Sequence, residues 1–156
     1  MPRQLLHLTL WLVVMSMAAP PAAAGTAASP SAAGLLTCAD SLFAAADRAG
    51  ARRAYAAVLA IDPNRSRAVY QLALLTRERR EAERLLRHYV GLEPHDAWGF
   101  LALGELLAAQ GNHGDALQQY DTALRLAPGE REVAVGRARA LGRAGRTDAA
   151  ITAYEG

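Results

Sequence analysis

The side chains able to do chemistry in this chain are few and scattered. His88, His95 and His113 are the histidines beyond the first residues, and no two of them stand in a His-x-x-x-His spacing. That spacing would put two imidazoles on one helix face, so a helical zinc site is not expected. His95 and His113 fall in expected turns, and His88 reads as a surface or packing residue of a helix. Cys38 is the single cysteine, which excludes an internal disulfide and a four-cysteine zinc site. It reads as a small buried helix residue, with a free thiol in an oxidising compartment as the alternative. Thr37 precedes it and the apolar leader ends well upstream, so lipidation is not expected. Ser41 and Ser66 have no local base, and Asp40 and Asp47 read as exposed or capping helix acids. No Gly-x-x-x-x-Gly-Lys loop is present. The expectation is therefore no enzyme, no catalytic residue, no metal site and no cofactor. What remains is recognition chemistry, carried by arginine, tryptophan and tyrosine, the types that dominate interface energetics.

Charge sets limits on the partner. The 156 residues carry 17 basic side chains, all arginine, against 15 acids, a net charge of +2. Such a balance gives little support to a nucleic-acid binder. The halves differ: Arg48 to Arg87 holds 10 Arg and 4 acids, whereas His88 to Gly156 holds 6 Arg and 9 acids. The basic half suits an acidic protein, an anionic glycan or a phospholipid surface. The competing reading is a solvated helix, since Arg77 to Arg84 mixes both signs. Aromatics do not interleave with these arginines as a base-stacking platform requires.

The first 24 residues read as a secretory signal. Arg3 gives a positive start, and Ala22-Ala23-Ala24 offers the small residues that signal peptidase accepts. The apolar run from Leu5 to Ala19 is about 15 residues, short of the ~20 that span a bilayer. The expected destination after cleavage near Ala24-Gly25 is the periplasm or the exterior, with outer-membrane association as a variant. Gly25 to Gly34 reads as a flexible linker of small residues.

The remainder repeats. The apolar share of 52% is enough for a folded core. Pro63, Pro94 and Pro128 are spaced 31 and 34 residues apart, each after an apolar run. Proline lacks a donor and disfavours helix in the residue before it, so each marks a helix end. Asn64, Asp96 and Gly129 then stand where the next helix needs a cap. Upstream, Ala116, Leu117, Tyr120, Ala123, Leu124 and Ala127 recur at helical spacing. Phe100, Leu103, Gly104 and Leu107 do the same one helix earlier. Gly111 can end that helix and Asp115 can sit at the start of the next. Each unit is helix, turn, helix, and neither helix can bury its stripe alone. Stacked pairs are required.

This pattern resembles the tetratricopeptide repeat. Ala97 to Glu130 fits its frame of about 34 residues. Phe100, Leu103, Gly104, Leu107, Ala116, Tyr120, Ala123 and Pro128 match its aromatic, Leu-Gly, large, small, aromatic, small and proline positions. The neighbouring units fit less well. The unit from Ser66 to Asp96 has lost about three residues around Arg77 to Arg80 relative to the repeat frame. The unit from Arg131 has Ala134 at the aromatic site and Arg137-Ala138 in place of Leu-Gly. The resemblance implies an all-α, right-handed solenoid of antiparallel helix pairs. Its units would run over residues 35–64, 65–96, 97–130 and 131–156, the last incomplete.

The resemblance also implies a binding scaffold, with the first helix of each unit lining a concave groove. The groove positions carried over are Arg67, Tyr70, Leu74 and Arg77, then Trp98, Leu101, Glu105 and Ala109, then Glu132, Val135, Arg139 and Arg143. The expected partner is a protein in the cell envelope. An N-terminal part of an outer-membrane exopolysaccharide exporter is the alternative, with an anionic glycan or exporter component as partner. The fourth unit ends at Gly156 without a polar cap, which adds self-association through that edge as an expectation. Chaperone-tail receptors of this family use lysine and asparagine; this chain has no lysine, and Asn64 and Asn112 lie in expected turns.

Overall fold

The computed structural model describes residues 31–146, Ala149 and Ala150. The expected leader, the linker up to residue 30 and most of the second helix of the fourth unit lie outside the described residues. Seven helices occur among them: α1 (Ala32–Ala44), α2 (Arg48–Ile61), α3 (Ser66–Leu75), α4 (Arg79–Leu92), α5 (Ala97–Ala109), α6 (His113–Leu126) and α7 (Arg131–Arg143). They form an all-α solenoid of helix pairs: each helix packs on its neighbours in sequence, and α5 also touches α7. None of the described helices is long and apolar enough to cross a membrane.

Two kinds of turn build the array. The pairs are joined by four-residue turns with proline second. Arg65 N–H bonds to Asp62 C=O at 3.3 Å, Asp96 to Glu93 at 3.2 Å and Glu130 to Ala127 at 3.2 Å. Proline's fixed φ suits that second position. The caps differ from expectation in two of the three turns. Asp96 caps α5 by accepting from Trp98 N–H at 3.1 Å. Arg65 and Glu130, not Asn64 and Gly129, hold the cap positions of α3 and α7, without side-chain hydrogen bonds.

Within pairs, first helices end with a left-handed residue that lets a later N–H reach back. Asn112 N–H bonds to Leu107 C=O at 2.9 Å across Gly111, whose φ is 86°. Arg146 N–H bonds to Leu141 C=O at 3.0 Å across Gly145, φ 76°. Asp47 N–H bonds to Leu42 C=O at 3.0 Å across Ala46, φ 61°, without the help of glycine. The second pair lacks this device. α3 has 10 residues against 13 in α1 and α5, and the chain passes to α4 through Thr76, Arg77 and Glu78.

Three expectations are corrected by these elements. Residues 32–34, read as linker, are helical, because Ser31 caps α1 by accepting from Gly34 N–H at 3.1 Å. Cys38 is exposed rather than buried, since Ala39 takes the inward position. His113 opens α6 instead of lying in the turn, which leaves Asp115 in the first turn of that helix.

Small and large residues alternate in the core. One cluster joins Ala39, Ala51, Tyr55, Val58 and Ala68. The other runs from Ala73 and Leu86 through Leu101, Leu103, Leu107, Ala116 and Tyr120 to Val133 and Ala140. The two meet on α3, where Ala68, Leu72 and Leu75 pack with the first and Tyr70 and Ala73 with the second. The truncated helix is therefore the seam between two cores.

Candidate functional site: a mixed-charge pocket over Tyr120

All the groove positions but Arg77 fall on three helices, and the structure sorts them into separate groups. Arg67 is engaged at home. It pairs with Asp40 at 3.1 Å, and Asp40 also accepts from the Tyr55 hydroxyl at 2.7 Å. Tyr70 is half-buried, with its ring 4.8 Å from that of Tyr89 and tilted by 41°. Tyr89 donates to Asp96 at 2.5 Å, which links this aromatic pair to the start of α5. Leu101 does not face a groove at all: it is 6% exposed and part of the core, since α5 has neighbours on both sides. Val135 is half-buried and Glu132 is exposed in the first turn of α7. Trp98 is 47% exposed and Leu74 49%, so both offer apolar surface. Leu74, in the last turn of α3, and Arg77, between α3 and α4, line the cavity there and not the one between α5 and α7.

Glu105, Arg139 and Arg143 come together. They line a cavity of about 170 Å³ between α5 and α7, with Ala108, Ala109 and Ala140 as its small walls. Tyr120 is its floor. The spacing of Arg139 and Arg143 puts both guanidinium stems on one face of α7. None of the three charged residues forms an ion pair among the described residues.

The floor follows from two glycines. A β-carbon at Gly104 would stand 2.9 Å from Tyr120 Cε1, and one at Gly136 would also stand at 2.9 Å. Their absence admits the phenol between α5 and α7. The repeat frame marks Tyr120 and Gly104 as packing residues and leaves Gly136 unmarked. Its signal was a glycine two residues before the position where the repeat carries its Leu-Gly glycine.

The electrostatics tie the group together. Burial pushes the Tyr120 hydroxyl up to about 12, Glu105 adds to the shift, and Arg139 and Arg143 oppose it. The hydroxyl thus feels all three charges. Tyr55 and Tyr89 donate to carboxylates, whereas Tyr120 has no such partner among the described residues. The pocket can therefore take a carboxylate on the two arginines with the phenol as a further donor, and a cation on Glu105. Among the described residues, no group of His, Cys, Asp and Glu side chains could hold a metal ion.

A tetratricopeptide repeat family model matches residues 76–131 and 101–156, which together span just over half of the chain. No curated protein matches it in sequence. Among solved structures, MamA from Desulfovibrio magneticus is similar with a TM-score of 0.77 at 18% identity, over 81% of this chain and 73% of that one. The first repeat domain of Spaghetti (RPAP3) bound to an HSP90 peptide is similar at 0.68 and 17% identity, over 73% and 93%. The Thermobaculum terrenum O-GlcNAc transferase is similar at 0.63 and 32% identity, over 70% of this chain but only 22% of that enzyme. With the family model covering the third unit and both its flanks, on a solenoid of helix pairs, the chain belongs to the tetratricopeptide repeat family.

Proposed function

We propose that this chain is a non-catalytic protein-interaction scaffold that holds a segment of a partner protein over Tyr120. The observation that carries this reading is the unpaired trio of Glu105, Arg139 and Arg143 around a buried phenol that lacks a carboxylate partner. All three charged side chains are exposed and so open to a ligand, and the phenol beneath them offers a further donor. The Spaghetti (RPAP3) domain, bound to an HSP90 peptide, supports a peptide ligand in kind. An HSP90-type tail is not proposed, because no lysine is present and Asn64 and Asn112 lie in the connections between helices.

The leader-like residues 1–24 support a periplasmic or secreted setting for this scaffold. A second reading, the periplasmic part of an exopolysaccharide exporter, is supported by that leader together with the basic first half of the chain. Quantitative comparison of proteins captured from cell-envelope extract tests the scaffold. Arg139→Glu/Arg143→Glu should lose the partner that wild type retains. Equal capture by both would refute the pocket. Cofractionation of that partner with exported polysaccharide would favour the second reading.

A further inference from the structure

The truncated turn of the second pair opens a notch. Two adjoining cavities of about 440 and 380 Å³ lie between the N-terminal part of α2 and the α3–α4 turn, and both are lined by Arg52, Thr76 and Arg77. Arg48 and Arg53 complete the rim. None of these four arginines has an ion-pair partner among the described residues. The two carboxylates at the edge are already engaged. Glu78 accepts from the backbone N–H groups of Arg80 and Glu81 at 3.0 and 2.6 Å, and Glu81 pairs with Arg84. The wall is aliphatic: Ala56 and Leu72 in one cavity, Leu74 and Leu75 in the other, with Leu74 49% exposed.

We propose that this notch is a docking site for an acidic peptide segment, in which alternate carboxylates meet the guanidinium groups and an aliphatic side chain between them meets Leu74. Guanidinium forks match carboxylates two bonds at a time. Four arginines at the rim outnumber the two carboxylates, one of which is paired with Arg84, and a bound polyanion relieves the remaining excess of positive charge. No aromatic ring lines either cavity. Stacking faces are what carry base recognition, and an aliphatic wall answers an aliphatic side chain better than a sugar ring or a base. This deepens the scaffold reading by adding a second site of stated chemistry, and it does not depend on the pocket over Tyr120.

The test is fluorescence anisotropy of a labelled Glu-Leu-Glu-Leu-Glu peptide against the full chain at two salt concentrations. Saturable binding that weakens with salt is expected. Arg52→Glu/Arg77→Glu should weaken it by about tenfold or more, because each reversal replaces an attraction with a repulsion. Arg125→Glu/Arg146→Glu, which makes the same change in net charge elsewhere, should leave it within about twofold. Leu74→Ser should weaken this peptide and not Glu-Ser-Glu-Ser-Glu. All these side chains are exposed, and unchanged helical circular dichroism verifies folding. Equal losses in the two charge-reversal pairs, or no saturable binding, would overturn the proposal. So would polygalacturonate binding in place of the peptide. Peptide binding abolished by Arg139→Ala/Arg143→Ala but kept by Arg52→Glu/Arg77→Glu would assign the peptide to the Tyr120 pocket and remove the notch. Peptide binding at the notch alongside a failed partner test at Tyr120 would separate the two readings.

Discussion

Tyr120 occupies the space a side chain at Gly104 would need, with Cε1 2.9 Å from where a β-carbon would lie. Gly136 meets the same ring edge from the next helix at 2.9 Å. One phenol therefore sets the approach of α6 to α5 within a pair and to α7 across pairs. The same contact fixes the floor of the charged pocket, so packing and recognition share a residue.

Filling either gap should be destabilising. Gly104→Leu or Gly136→Ala would set a β-carbon 2.9 Å from the buried ring and force it to shift, at a cost of about 1–3 kcal/mol. Gly91 is the control: nothing lies within 4 Å of its β-carbon position. Gly91→Ala, within α4, should stabilise by ~0.5–1 kcal/mol through helix propensity. Urea unfolding followed by circular dichroism measures all three, and an unshifted midpoint for Gly104→Leu would contradict the clasp.

Ala46 closes α1 at φ 61°, where α5 and α7 use glycine at φ 86° and 76°. The left-handed region costs an L-residue with a β-carbon roughly 1 kcal/mol or more. Ala46→Gly should raise thermal stability even though Ala46 is exposed. A lower melting temperature would show that the unfolded-chain entropy of glycine outweighs the relief.

The alkaline titration of Tyr120 reports the pocket's charges. Its raised value means that the protonated phenol favours the folded state. That contribution is fully present below 10.0, its ordinary value, and is lost as pH rises through about 12. In ultraviolet difference titrations against Tyr120→Phe, Glu105→Gln should bring the Tyr120 transition down. Arg139→Ala/Arg143→Ala should move it further up. Movement in the opposite directions would separate these side chains from the phenol.

Glu83 joins α4 to the end of α5: it accepts from Arg87 at 2.9 Å and from the Gln110 amide at 3.1 Å. The Arg87 hydrogen bond, then that of Gln110, holds its carboxyl below the usual value. A lowered value makes the stabilisation present above the ordinary carboxylate range and lost as pH falls through the folded value. Glu83→Gln should therefore be less stable than wild type at neutral pH and equal to it in acid. A gap that persists at low pH would contradict the assignment.

Much of the array was legible in the sequence because its punctuation is covalent. Pro63, Pro94 and Pro128 fix the turns regardless of what packs around them, and Gly111 announces a left-handed helix end. The short second pair was also visible as missing residues near Arg77. Side-chain orientation was less legible. Leu101 shares a register position with Tyr70 and Val135, yet Leu101 is buried while the other two stay half-buried. Arg67 looked available, but an acid 27 residues earlier holds it. Arg137 looked like a defect at a leucine position; it bonds Asp121 on α6 at 2.5 Å and docks the helix by charge. Gly136 was hidden because its partner ring belongs to the preceding repeat. These are contacts between units, and a repeat frame describes a unit.

The most direct test of the scaffold reading is site-specific photo-crosslinking of the full chain in its own cells. A photoreactive residue at Ala109, on the wall of the pocket, should capture one discrete partner. The same residue at Arg125, exposed on α6, should not. Addition of Arg139→Glu/Arg143→Glu should abolish the Ala109 adduct. An adduct of equal strength from both positions, or one that survives the double substitution, would show that the pocket over Tyr120 is not where the partner binds.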